Sequence, residues 1–333
     1  MQEVTFDLQT ITPLFLAGAD QTTAELRSPS FRGEMRYWLR ALVGGLVGTN
    51  DEGLTRIKDA ETAVFGATDT GSAVQVRVSQ PSGKLSQFTE NISRPGGKQQ
   101  ATGKGYLLWS MRLKKPPRYY FAPRTRFQIC LSTRGEDSAK YKKGIASLWL
   151  LTHLGGVGSR SRRCAGSLTI TLHEGDVYDF PFNIPADANS LKSQIEQGIV
   201  AARSLYTATQ SSLSDARFDA LSRNTCRIWI LQQERPWETP EAAMEAIGES
   251  LQSYRSTVPI IQRKVFGFPL KGVRGKVERR ASPLLLRLVE LQGQKYVGLA
   301  VLFKTRKSDV SMGDYEIIET WTNEFRGKKE VQL

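Results

Sequence analysis

Residues 155–168 read GGVGSRSRRCAGSL, four glycines and three arginines in fourteen positions, and their flanks limit the folds open to the chain. Upstream, residues 140–154 place Tyr141, Ile145, Leu148, Trp149 and Thr152 on one helical face; downstream, Leu168, Ile170 and Leu172 alternate as in a strand. The order is helix, loop, strand. A dinucleotide fold needs strand, glycine turn, then helix, because the pyrophosphate rests on the N-terminus of the helix that follows, so that architecture is disfavoured. A Walker A loop fails as well. Gly97 and the Gly103-Lys104 pair enclose five residues where four are required, and Gly105 takes the magnesium-holding Ser/Thr position.

The rest of the first half fits the same frame. Residues 4–16 have strand character, with Val4, Phe6 and Leu8 alternating and Pro13 closing the run. Ser30 is a plausible N-cap for a helix carrying Phe31, Met35, Trp38, Leu39 and Leu42 and stopping at Gly44-Gly45. Residues 73–79 alternate as a strand, residues 106–113 and 121–131 read as two more, and the polar segment 93–105 reads as an excursion. This β-α-β-β(β)-α-β order is the signature of a ferredoxin-like unit. Residues 188–205 then read as a helix, 226–231 as a strand and 241–255 as a helix, and residues 282–291 and 294–303 as a hairpin around Gln292-Gly293. The expected fold is α+β, with two tandem ferredoxin-like (RRM-like) domains, residues 1–178 and 179–333.

The net charge of +13 is concentrated. From Arg94 to Arg163 there are 16 Lys and Arg against Glu136 and Asp137, or +14, and the remaining 30 basic and 31 acidic residues give −1. A polyanion is the natural partner of such a block. Cys130, Cys164 and Cys226 are too far apart for a metal knuckle and odd in number for a secreted disulfide framework; they read as two core thiols and one loop thiol. No basic-then-apolar leader opens the chain and no apolar run approaches eighteen residues, so a cytoplasmic, membrane-free location is expected.

Two features carry alternative readings. In the loop, Gly155-Gly156 could end the helix in the left-handed conformation with the arginines solvated. Alternatively, Gly155, Gly156 and Gly158 let the backbone approach phosphate, with amides, Ser159, Ser161, Arg160, Arg162 and Arg163 as donors. On the first helix, Arg32, Arg36 and Arg40 recur every four residues, forming either a solvated face or a cationic rail. His153 and His173 stand alone, so neither a triad nor a transition-metal site is expected.

Four stretches taken together, residues 12–42, ETAVFG (61–66), LGGVGSRSRRCAGSL (154–168) and RRASPLLLR (279–287), resemble the RAMP superfamily of CRISPR proteins, most of all its subunit-one branch in type III-B (Cmr) effector complexes. The matches run in order over most of the chain, roughly residues 4–303. Where the family reads Arg-Arg-Gly-aromatic-Gly-Ser, this chain has Cys164 and Ala165. The resemblance implies tandem ferredoxin-like domains, RNA binding, and a hetero-oligomer with other RAMP subunits on CRISPR RNA and target RNA. The role is expected to be non-catalytic and cofactor-free, near the guide 3′ end. The implied RNA-binding set is Arg32, Arg36, Arg40, Lys104, Arg118, Gly155, Gly156, Gly158, Ser159, Arg160, Ser161, Arg162, Arg163, Arg279 and Arg280. Related backbone subunits cut RNA with a loop aspartate and a divalent ion. By position Asp20, with Glu25, is the candidate for that alternative, and His153 is a second; a loop aspartate beside glycine is also a common turn former.

Overall fold

The computed structural model describes residues 2–18, 23–83, 85–89, 101–111, 117–133, 135, 137–207, 213–267 and 280–333. Its elements are β1 (Gln2–Thr10), α1 (Ser28–Val47), α2 (Asp51–Phe65), β2 (Val74–Val78), β3 (Leu85–Gln87), α3 (Gly103–Leu108), β4 (Tyr119–Phe121), β5 (Arg126–Thr133), α4 (Ser138–Leu154) and β6 (Leu168–Glu174). There follow α5 (Ala188–Ser204), β7 (Cys226–Leu231), α6 (Pro240–Thr257), β8 (Leu284–Leu291), β9 (Lys295–Phe303), α7 (Glu316–Trp321) and β10 (Lys329–Val331). The molecule is α+β.

Two four-stranded antiparallel sheets organise it, one in the order β2-β5-β1-β6 and the other β10-β7-β9-β8. Counting only the four strands of each sheet in chain order, each runs second, third, first, fourth, read from opposite edges. In the first sheet Phe6 pairs with Ile129 and Val76 with Leu131, so Val4, Phe6, Leu8, Ile129 and Leu131 point to one face, under α1 and α4. The opposite face, with Glu3, Asp7, Arg126 and Gln128, is open to water. This alternation is what a half-covered antiparallel sheet requires.

The second sheet is covered on both faces. Leu285, Val289, Val297, Leu299, Val301 and Phe303 enter the core that holds Val4, Phe6, Trp38 and Trp149. Leu284, Leu286, Leu288, Ala300 and Leu302 enter a second core with Leu107, Leu108, Met244, Ile247 and Trp321. Every residue of β8 is buried, which explains its near-continuous apolar sequence.

Several local expectations are corrected. Of the strand expected over 106–113, residues 106–111 belong to the helix α3 and a 3-10 turn at Trp109–Met111, and 112–113 lie outside the described residues. The Thr102 hydroxyl accepts from Gly105 N–H, and the Glu245 carboxylate accepts from the amides of Gly103 and Lys104 at 2.7 and 2.8 Å. Tertiary capping from α6 thus overrides local strand propensity. The strand over 121–131 is broken at Arg124, which has φ +68°, into β4 and β5. Helix α1 is capped at Arg27 with Pro29 in its first turn, not at Ser30, and runs through Gly44-Gly45 to Val47. A Cβ on Gly45 would lie 2.0 Å from the Leu221 carbonyl oxygen, so that glycine serves close approach rather than termination. Strand β1 ends at Thr10, not Leu16, and α2 carried no prior expectation. Cys130 is half-buried in β5, and Cys164 and Cys226 are buried.

Candidate nucleic-acid interface

The glycine loop is threaded between the two sheets. Gly155 packs where a Cβ would come 2.3 Å from Trp38 Nε1 of α1. Gly158 (φ +86°) and Gly166 (φ +63°) press against the carbonyls of Phe15 and Val157, where a Cβ would lie 2.5 and 1.9 Å from oxygen. The loop's amides are largely spent on protein: Val157 donates to Gly166 O, Ser159 to Phe15 O, Gly166 to Pro13 O and Cys164 to Leu286 O. Neither Gly155 nor Gly156 has positive φ, so left-handed helix termination is not their role. The glycines permit protein–protein backbone contact, and donors to an external anion must come chiefly from side chains.

Strand β8 backs the loop, and Arg287 fastens the two together. Its guanidinium donates to the carbonyls of Thr152, just before the loop, Leu168, just after it, and Leu288. Ser167 Oγ accepts from Leu288 N–H at 3.0 Å. Burial pulls Arg287 down to about 9, still charged at neutral pH. The loop therefore occupies the β8 edge, which would otherwise be open to pairing.

The loop arginines have distinct duties. Arg160, itself at φ +66°, donates to the Leu107 carbonyl from Nε at 2.7 Å. Arg162 reaches Ser282 O at 2.7 Å and Asp219 Oδ2 at 3.0 Å and lies over the Tyr37 ring. Arg163 is 9% exposed and donates to the carbonyls of Leu284 and Arg162. Burial lowers Arg160 and takes Arg163 to about 10. Burial also opposes the charge on Arg162, but Tyr37 and Asp219 hold it above its ordinary value.

On α1, Arg32 is exposed, whereas Arg36 and Arg40 share Glu61 of α2 at 2.5 and 3.1 Å. The cationic rail is thus braced by an acid that helical spacing alone could not place there. Arg118 lies 3.4 Å from Ser159 Oγ. Arg280 is paired with Asp309 and bonded to Lys264 O, and Lys104 is half-buried on α3. Arg279 and Asp20 lie outside the described residues; Glu25 lies 3.9 Å from Arg27.

Three adjoining depressions surround the loop. One of about 740 Å³ is lined by Arg160, Arg162, Arg163, Arg255, Arg280 and Trp109, among others. A second, about 490 Å³, lies between the 15–18 turn, Arg118 and Gly158-Ser159. The third, about 300 Å³, is bounded by Arg40, Tyr37, Gly155-Gly156 and Arg162. Glu34 borders the last two, its carboxyl raised by burial against the lowering pull of Arg162 and Arg40.

His153 lies away from this groove, stacked on Trp149 at 4.3 Å with Nδ1 donating to Trp149 O. Burial drives it down to about 3, so it is a neutral packing group and a poor general acid or base near neutral pH. Among the described residues, no three His, Cys, Asp or Glu side chains are grouped to hold a metal ion. No helix there is long and apolar enough to cross a membrane. Of the residues that build the site and that the sequence did not single out, Arg287, buried behind the loop, left a trace as a lone cation in an apolar run. Tyr37 and Glu61 lay within the stretches that carry the resemblance without being assigned a role, and Trp109, Asp219 and Arg255 left no trace, because their positions depend on tertiary packing.

Sheets of matching strand order, joined by a glycine loop in an arginine-lined groove, define a class of basic, groove-bearing α+β protein. A family model described as the RAMP superfamily matches residues 7–169. Two curated relatives come from Pyrococcus furiosus. CRISPR system Cmr subunit Cmr1-2 is 36% identical over 186 residues, covering 52% of this chain and 97% of the relative. Cmr subunit Cmr1-1 is 28% identical over 316 residues, covering 90% and 87%. Among solved structures, Cmr1 from Pyrococcus furiosus in its apo form superposes with TM-score 0.72 at 24% identity, covering 100% of this chain and 99% of that one. A chain of the type III-B Cmr-beta assembly bound to cognate target RNA gives 0.61 at 13%, covering 96% and 99%. The chain belongs to the RAMP superfamily, in its Cmr subunit 1 family.

Proposed function

We propose that this chain is a non-catalytic RNA-binding subunit of a type III-B CRISPR effector complex. It contacts the guide 3′ region or the guide–target duplex and caps an assembly with other RAMP subunits. The observation that carries this is the set of adjoining arginine-bearing depressions around residues 155–163, at the end of the +14 block of sequence. The names of the curated relatives, and a structural neighbour captured in a Cmr assembly with target RNA, support the same setting. Both halves are read as ferredoxin-like domains, residues 1–178 and 179–333; the common strand order supports that. Sequence reading is left to base pairing, while the protein holds backbone and shape.

Within the site, Arg32, Arg40, Arg118, Arg160, Arg162 and Arg280 are read as the phosphate-facing cations. Arg163 and the glycines act through the loop's shape, and Arg36 through its pairing with Glu61. The test is equilibrium binding of a single-stranded guide-length RNA between 50 and 200 mM salt. Arg32→Ala combined with Arg160→Ala and Arg162→Ala is expected to weaken binding regardless of RNA sequence. It should flatten the salt slope by about 0.7 per lost phosphate contact, with thermal melting as the check on folding. A folded variant with an unchanged slope overturns the groove as the RNA site.

A further inference from the structure

The largest of the three depressions differs from a plain basic groove. Trp109 stands on its rim 46% exposed, with no ring stacked on it among the described residues, at the start of the turn Trp109–Met111. Across from α3, Arg255 of α6 lies 4.9 Å from the Phe266 ring centroid and donates to the Tyr106 hydroxyl, yet its buried Nε has no hydrogen-bond partner. Arg160, Arg162 and Arg280 complete the walls, and no carboxylate is among the described residues lining the cleft. At about 740 Å³ the cleft falls within the range of sites that enclose a small ligand.

We infer that this cleft receives one unpaired nucleotide of bound RNA, its base on Trp109 and its phosphate toward the arginines. The inference rests on the RNA-binding reading and deepens it. An exposed indole offers a stacking face that every base can use, and the guanidinium groups of the walls offer donors to base or phosphate oxygens. A paired helix is too broad to enter and keeps its bases within the stack, so the occupant is a splayed nucleotide. Five arginines line the cleft against the two carboxylates, Asp219 and Asp309, that pair with Arg162 and Arg280, so an anion is favoured, and the aromatic rim selects one that carries a flat ring.

Two assays test this on the full chain. Affinity is measured for a single-stranded RNA and for the same RNA as a blunt duplex, and 5-iodouridine-substituted single strands are crosslinked and the attached peptide mapped. Trp109→Ala is expected to weaken single-strand binding about tenfold and leave duplex binding unchanged, Trp109→Phe to restore most of the loss, and the crosslink to fall on Trp109. Arg162→Ala is expected to weaken both RNAs. Trp109→Ala without effect on single strands, while Arg162→Ala still weakens them, sinks the nucleotide pocket and leaves the groove standing. Equal weakening of both RNAs by Trp109→Ala marks a structural residue and also sinks the pocket. Wild-type protein that retains neither RNA overturns the pocket and the function together.

Discussion

His153 shows what a single buried group does to stability. Held between Trp149 and Phe182, it stays neutral in the fold down to about pH 3, whereas its ordinary value is 6.5. The unfolded chain therefore binds the extra proton between those limits. The stabilising contribution is complete above about pH 6.5 and is lost as pH falls toward 3, at about 1.36 kcal/mol per unit. Urea denaturation should show the wild type losing about 2 kcal/mol more than His153→Gln between pH 7.5 and 5; parallel losses would refute it. Cys164 is the opposite kind of residue. Its φ of +66° lies in the region that favours glycine, at a strain of about 1–2 kcal/mol. The thiol is fully buried, and burial pushes it up to about 12, so it is a packing group despite lying among arginines. Its place in the sequence marked it as a departure from the family pattern, and the left-handed backbone persists there without glycine.

At the scale of elements, the packing of α3 on α6 governs the proposed nucleotide pocket. Gly103 and Gly248 meet backbone to backbone: a Cβ on Gly248 would lie 2.0 Å from the Gly103 carbonyl oxygen. Gly248→Ala must therefore push α3 outward, at a cost of about 1–3 kcal/mol. Displacing α3 moves the Leu107 carbonyl that holds Arg160, and Trp109 with it. The expected outcome is a lowered melting temperature together with weaker single-strand binding; a variant as stable as wild type would show that the crossing is not so tight. This contact also explains what sequence could convey. Helices α1, α4, α5 and α6 and strands β2 and β6 were legible from the periodicity of the face each one buries, and β7, β8 and β9 as short apolar runs bounded by turn residues, because both of their faces are buried. Helix α3 was not, since Leu107 and Leu108 are adjacent and both buried, with caps from Glu245 more than a hundred residues away. The groove's glycines and arginines were visible; that Glu61 would pair with Arg36 and Arg40, and Asp219 and Tyr37 with Arg162, was not, because each pairing joins separate segments.

At the scale of the molecule, the repeated strand order suggests two domains, but the packing joins them. The inner face of the second sheet is buried against α1, α4 and β1 in one core. The other core draws Phe15, Phe88, Leu107, Met111 and Tyr120 from the first half onto α6 and the outer face of that sheet. The loop on β8 and the Arg287 guanidinium add hydrogen bonds across the same seam. A chain cut after residue 178 would uncover Trp38, now beside Phe303, Cys164, now bonded to Leu286 O, and other first-half side chains that share their cores with β8 and β9. With roughly 25 cal/mol lost per Å² of apolar surface left exposed, several such side chains exceed the margin of about 5–15 kcal/mol that holds an ordinary domain folded. Residues 1–178 expressed alone are therefore expected to aggregate or bind a hydrophobic dye, and the full chain to unfold in one calorimetric transition with van't Hoff and calorimetric enthalpies in agreement. A soluble fragment with its own cooperative melting, or two resolved transitions in the full chain, would show that the seam is an interface between independent domains. The groove would then depend on how those domains dock, rather than being fixed by a common core.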